Sequence, residues 1–188
     1  DEDVLGVELE VTIPSQGNSQ EVGFFIDAFD NQQDHLEIIE LAWRSNGASW
    51  SWEEQSNIDG QTTYHSLDAE LNKTYKVSVT YTNQNTRVWI DGELISDSKD
   101  YNFTARSWLI GAFNDNGESF EVSIDNVRVL RALPAQEWES LDEFNGTDID
   151  TNTWDVGYFA GGLAPSISGG KAILSGNAST GNDSGNGT

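Results

Sequence analysis

The chain has 188 residues, 36% hydrophobic and 11% aromatic, which is enough apolar material for one sizeable core and too much for a disordered chain. Its 32 Asp and Glu against 9 Lys and Arg give a net charge of −23, which repels nucleic-acid phosphates and anionic membrane surfaces and excludes nucleic acid as a partner. No apolar run approaches the ~20 residues of a membrane span, the absence of Cys excludes disulfides and thiol chemistry, and the absence of Met leads to the expectation of a processed segment.

From the first residues onward the chain alternates in steps of two. Val7, Leu9, Val11 and Ile13 fall on one face, with Glu8, Glu10 and Thr12 on the other, the pattern of a half-buried strand. Further strands are predicted at 20–29, 35–45, 48–54 and 62–67, separated by Asn46-Gly47 and Asp59-Gly60, pairs that tolerate positive φ. Within DHLEIIELAW, residues 34–43, Glu37 and Glu40 are three apart, so a regular strand sends them to opposite faces. Retaining glycoside hydrolysis needs two carboxyl groups ~5–5.5 Å apart, so this spacing reads as two solvated carboxylates and a chain that is not an enzyme. His35 and His65 are isolated histidines without ligand spacing. Trp50 and Trp52 share a face of their strand, with Trp43 and Trp89 on neighbouring strands. The four are read either as core packing or as a surface that stacks on the apolar face of a sugar ring.

Tyr75, Val77, Val79 and Tyr81 repeat the two-step pattern, and a strand hairpin over 86–96 turns at Asp91-Gly92. Strands at 107–113 and 119–130 follow. In the latter, Phe120, Val122 and Ile124 occupy even positions and Val127 and Val129 odd ones, which places a β-bulge at Asp125-Asn126. Residues 131–141, interrupted by Pro134, read as a linker. The segment 142–175, with a strand at 164–175, carries an apolar set of Phe144, Trp154, Ile167, Ala172 and Leu174 that needs a sandwich to bury it. The Gly-, Asn-, Ser- and Thr-rich tail from 176 to 188 reads as a disordered terminus or as an interstrand loop. Sequons at Asn72, Asn102, Asn145, Asn177, Asn182 and Asn186 are consistent with an extracellular or cell-surface location.

Three stretches, YKVSVTYTNQNTRVWIDGELI at 75–95, SFEVSIDNVRVL at 119–130 and DEFNGTDIDTNTW at 142–154, resemble strands of the concanavalin A-like lectin/glucanase superfamily, which includes laminin-G-like domains and family 16 glycoside hydrolases. The second resembles the closing strand of that fold and the third its opening, in reversed order. The resemblance implies an all-β, antiparallel two-sheet jelly-roll β-sandwich that is circularly permuted or completed by a neighbouring copy. Residues 1–130 form the body, 131–141 the linker and 142–188 the opening strands. Completion by a neighbouring copy is the favoured expectation, with Phe144, Trp154, Ile167 and Leu174 at the assembly contact. The resemblance also implies a structural Ca²⁺ held by Asp125 and the carbonyls of Gly169 and Gly170. The Glu-x-Asp-x-Glu strand motif of family 16 lacks its middle Asp here. The expected function is thus a non-catalytic extracellular structural or adhesive repeat, or a filament subunit assembling head to tail through self-association. The alternatives are a carbohydrate-binding module that takes a polysaccharide and a family 16-like hydrolase.

Overall fold

A computed structural model describes residues 4–14, 21–29, 35–44, 47–56, 62–68, 70–82, 85–99, 107–114, 119–132, 138–156 and 163–176; for the strands within 35–68 it describes the backbone alone. Thirteen strands account for nearly all of it: β1 (Val4–Thr12), β2 (Glu21–Phe29), β3 (His35–Arg44), β4 (Gly47–Ser56), β5 (Thr62–Asp68), β6 (Thr74–Thr82), β7 (Asn85–Ile90), β8 (Glu93–Lys99), β9 (Ser107–Asn114), β10 (Phe120–Arg131), β11 (Trp138–Asp142), β12 (Ser166–Ser168) and β13 (Lys171–Gly176). They form two antiparallel sheets. The eight-stranded sheet runs β12-β13-β10-β1-β6-β7-β8, with β11 also on β10, and the five-stranded sheet runs β5-β4-β3-β2-β9. This is the predicted all-β jelly-roll sandwich.

The alternation read from the sequence sets the inward faces. Val7, Leu9, Val11 and Ile13 from β1 and its extension, Tyr75, Val77, Val79 and Tyr81 from β6, and Val22, Phe24, Ile26 and Ala28 from β2 join one core cluster between the sheets. Asp91 (φ 49°) and Gly92 (φ 83°) turn the β7–β8 hairpin, and Gly169 (φ 61°) and Gly170 (φ 77°) turn β12 into β13; two successive positive φ values are what a tight type I′ hairpin requires. Gly6 serves a different need, because a Cβ there would lie 2.5 Å from the Val79 carbonyl oxygen on the adjoining strand. The expected bulge is present: Glu8 pairs with Arg128 but Glu10 with Asp125, and Asn126 takes φ 52°.

The predicted linker 131–141 needs correction, since its second half is β11. Leu130 pairs with Trp138, Val129 with Glu139 and Arg128 with Ser140. Arg128 Nη2 donates to the Trp138 carbonyl at 3.2 Å, and Arg131 pairs with Glu139 at 3.1 Å. An edge strand held by main-chain and charged contacts needs no apolar alternation, so its sequence carried no strand pattern.

The segment 142–176 packs here on its own chain. Within this chain β13 lines the first half of β10, from Phe120↔Gly176 to Ile124↔Ala172, while β11 lines the second half. Phe144 belongs to the chain's own core cluster, and Trp154, Ile167 and Leu174 pack against it. The stretch between β11 and β12 is long enough to return the chain antiparallel to β10. Asp142 anchors that return: its Oδ1 accepts from Phe144 N at 2.7 Å and its Oδ2 from Trp154 Nε1 at 2.9 Å, and the two rings stack with centroids 5.9 Å apart.

On the outward face of the eight-stranded sheet, Glu8 is only 8% exposed and fully engaged. Its Oε1 accepts from Lys76 Nζ at 2.9 Å and Arg128 Nη1 at 3.0 Å, and its Oε2 from Ser78 Oγ at 2.8 Å. Burial alone would push this carboxyl up, but the Lys76 ammonium, the Ser78 hydroxyl and the Arg128 guanidinium together hold it below the ordinary glutamate range. A carboxyl lowered on folding contributes stability above its unfolded-state pKa, and that contribution is lost as pH falls through the folded-state value. Both cations are well exposed, so the contribution is about 1–2 kcal/mol rather than that of a fully buried pair. Urea unfolding of Glu8→Gln should show this deficit at pH 7 and lose it toward pH 3; a deficit unchanged across that range would show that the charge of Glu8 does not supply it.

Candidate functional site

The outward face of the five-stranded sheet gathers the residues with most chemical potential. On β2 the inward positions are Val22, Phe24, Ile26 and Ala28, which leaves Gly23, Phe25 and Asp27 for the other face. Phe25 lies over Gly111 of β9, where any added Cβ would run into its ring, and it meets the Phe113 ring at 6.4 Å in a tilted pair. Asp27 is buried beside these rings, and Leu109, its partner on β9, is partly exposed.

The register of β3 adds two carboxylate positions to that face. Phe25 pairs with Glu40, Ile26 with Ile39 and Asp27 with Glu37, so β3 carries one extra residue against β2. It carries the same extra residue against β4, where Glu40 pairs with Glu53 and Glu37 with Gln55. Directly opposed residues of an antiparallel pair share a face. The bulge therefore brings the positions of Glu37 and Glu40 to one face, together with those of Asp27, Phe25, Glu53 and Gln55. The expectation that Glu37 and Glu40 oppose each other assumed a regular strand and is corrected here. The sequence hid the shift because Ile38 and Ile39 are both apolar, so no break in polarity marks the extra residue.

The tryptophans separate into two groups. Trp43 pairs with Val22 on one side and Trp50 on the other, and Trp52 pairs with Leu41, the partner of Phe24. Those register positions share the face of the buried Val22 and Phe24, not that of Phe25; the side chains of Trp43, Trp50, Trp52, Glu37 and Glu40 themselves lie outside the described set. Trp89 stands in the other sheet, on β7. His35 begins β3 and His65 lies on β5, with β4 between them. Of the sequons, those at Asn72 and Asn145 are exposed, and the other four lie outside the described residues.

The residues expected to hold Ca²⁺ lie at the β10 bulge and at the turn between β12 and β13. Asp125 follows Ile124, whose partner Ala172 is two residues beyond the Gly169-Gly170 turn. Asp125 Oδ1 accepts from Asn126 N at 2.8 Å. Among the described residues no three acidic or histidine side chains gather there or elsewhere. The donors on offer are one carboxylate, backbone carbonyls and water, an all-oxygen set that fits Ca²⁺ in kind. We propose the site on that ground. An ion bound only by the folded state adds about 2.7 kcal/mol at a hundredfold excess over its Kd. The expected result is a lower melting temperature on chelation, an effect that Asp125→Ala removes; indifference of the wild-type protein to chelator would dismiss it.

A laminin-G-type family model of the Concanavalin A-like lectin/glucanases superfamily matches residues 5–137 in one continuous stretch. No curated relative matches the chain. Among solved structures, scytalido-glutamic peptidase in complex with a transition-state analogue inhibitor is similar over 94% of each chain at 16% identity, with a TM-score of 0.58. The PL7 alginate lyase AlyA1 from Zobellia galactanivorans is 15% identical over 70% of this chain and 63% of its own, with a TM-score of 0.48. The carbohydrate binding module CBM66 from Bacillus subtilis is 15% identical over 60% of this chain and 68% of its own, with a TM-score of 0.45. At 16% identity the likeness to the peptidase speaks for the fold alone. Among the described residues no helix is long and apolar enough to cross a membrane.

Proposed function

Because this chain belongs to the Concanavalin A-like lectin/glucanases superfamily, we propose that it is an extracellular carbohydrate-recognition sandwich whose ligand face is the outward face of the five-stranded sheet. The observation that carries this reading is the β3 bulge, which aligns the positions of Glu37 and Glu40 with Asp27 and Phe25. Sugar recognition needs apolar plates for the ring carbons and acceptors for the hydroxyls, and the Phe25–Phe113 pair beside these carboxylate positions offers both. The exposed sequons at Asn72 and Asn145 and the strongly acidic composition are in keeping with a location outside the cell. An adhesive role follows from holding a polysaccharide and needs no exchange of strands between copies.

The test is a glycan array read with the wild-type protein, Phe25→Ala and Glu40→Gln. Binding that is specific in the wild type and lost in both variants, with the fold retained, is the expected outcome. Equal signals from all three proteins would refute the assignment of this face.

The same bulge favours a second reading, glycoside hydrolysis. Two carboxylates on one face are what acid/base and nucleophilic roles require, at ~5–5.5 Å for a retaining mechanism. Cleavage of a bound glycan that disappears in Glu37→Gln and Glu40→Gln, with binding preserved, would establish it over recognition alone.

A further inference from the structure

The eight-stranded sheet also presents an aromatic to solvent. Trp89 is half-buried, yet it is not among the residues packed against the core cluster. Its neighbours across the strands are Ser78 on β6 and Leu94 on β8, and Leu94 is 48% exposed. The same row continues from Ser78 to Glu8 on β1 and Arg128 on β10. Lys76 lies two residues from Ser78 on this face, and Arg87 lies two from Trp89. Strands stand ~4.8 Å apart, so the positions of Trp89 and Glu8, two strands apart with Ser78 between them, are separated by about 10 Å.

Among the described residues this face is close to neutral. Lys76, Arg87, Arg128 and Lys171 stand against Glu8, Glu10, Asp97, Glu121 and Asp125, and two of the acids are already bonded to cations: Glu8 to Lys76 and Arg128, and Asp97 to Arg87 at 3.2 Å. A chain of net charge −23 thus carries a nearly neutral surface here. Neutrality removes the long-range attraction that would recruit a polyanion or a polycation. It leaves fixed hydrogen-bonding groups: the Lys76 and Arg128 side chains are 47% and 40% exposed, and each has more N–H donors than Glu8 accepts. Because Glu8, itself held by Ser78, already ties both side chains, little side-chain freedom is lost when a ligand binds.

We propose that this outward face is a second glycan site, taking a neutral polysaccharide, with Trp89 and Leu94 as the stacking plate and Lys76, Ser78 and Arg128 as the hydroxyl-binding edge. With a site on each outward face, the sandwich joins two polysaccharide chains. The Trp89 site stands on its own geometry, while the joining of two chains rests on the function proposed for the five-stranded sheet.

Calorimetric titration with neutral hexasaccharides of β-glucan, mannan and xylan should give two binding events per chain for one of them. Monomeric protein should precipitate the corresponding soluble polysaccharide. Trp89→Ala should leave one event and abolish precipitation, Trp89→Tyr should retain both events, and Phe25→Ala should remove the other event. Since Trp89 lies outside the core, an unchanged melting temperature and near-ultraviolet spectrum check that Trp89→Ala is folded. If Trp89→Ala keeps both events and still precipitates the polysaccharide, or if none of the three hexasaccharides binds, the second site does not exist. If Phe25→Ala changes nothing while Trp89→Ala removes all binding, the Trp89 site stands and the assignment to the five-stranded sheet fails.

Discussion

A chain ended at Arg131 should fail to fold cooperatively. Removal of β11–β13 strips β10 along one whole flank, leaving a twelve-residue strand with its N–H and C=O groups unpaired on that side. It also takes Phe144 and Ala172 out of the core cluster to which Val122, Ile124 and Val127 belong. Burial of a large apolar side chain contributes about 1.5–3 kcal/mol, so the lost contacts together rival the net stability of an ordinary domain, about 5–15 kcal/mol. The expected product is aggregated or lacks a sigmoidal urea transition. A peptide covering 138–176 added in trans should restore the transition, since it supplies the strands that pair with the free flank of β10. A truncated chain that melts as sharply as the full one would show that the body alone is the folding unit.

Phe24→Ala should be the most damaging single substitution in the five-stranded sheet. Among the described residues Phe24 is the largest fully buried side chain, and it sits on the interior strand β2 between Leu41 and Ala112. Deleting a buried ring costs about 3–5 kcal/mol, the loss of transfer free energy adding to that of an unfilled cavity. For a chain of this size each kcal/mol lowers the melting temperature by about 2–4 °C, so a fall of about 6–20 °C is expected in calorimetry. Phe25→Ala, one residue along on the outward face, should cost far less. Equal losses at the two positions would mean that the assignment of inward and outward faces on β2 is wrong.

The sandwich was legible in the sequence wherever one face of a strand is buried and the other wet. Val7 to Ile13 and Tyr75 to Tyr81 announce their faces by strict alternation, and the change of phase between Ile124 and Val127 announced the bulge at Asn126. The bulge in β3 was silent because its extra residue is one of two adjacent isoleucines, and the reading of Glu37 and Glu40 inherited that silence. β11 was missed for another reason: its place is set by pairing with β10 and by Arg128 and Arg131, not by a polarity pattern of its own. The Glu8 network lay out of reach, since its partners Ser78 and Arg128 are 70 and 120 residues away in sequence and only the strand order makes them neighbours. The tryptophans show the limit of composition. A Trp in a sandwich packs inward or faces solvent according to the parity of its position, and register, not residue type, sets Trp89 apart from Trp43, Trp50 and Trp52.

β1 and β13 lie on opposite flanks of β10, both antiparallel to it, with Val4 across from Arg131 and Gly176 across from Phe120. Tension drawn outward at Val4 and Gly176 therefore slides the two strands along β10 in opposite senses. The ladder hydrogen bonds stand perpendicular to that pull and bear it together, in shear, instead of opening one after another as in a peeled hairpin. Resistance to tension is a matter of unfolding rate rather than of equilibrium stability. A sandwich wired in this way would hold under load along its length while remaining only ordinarily stable at rest.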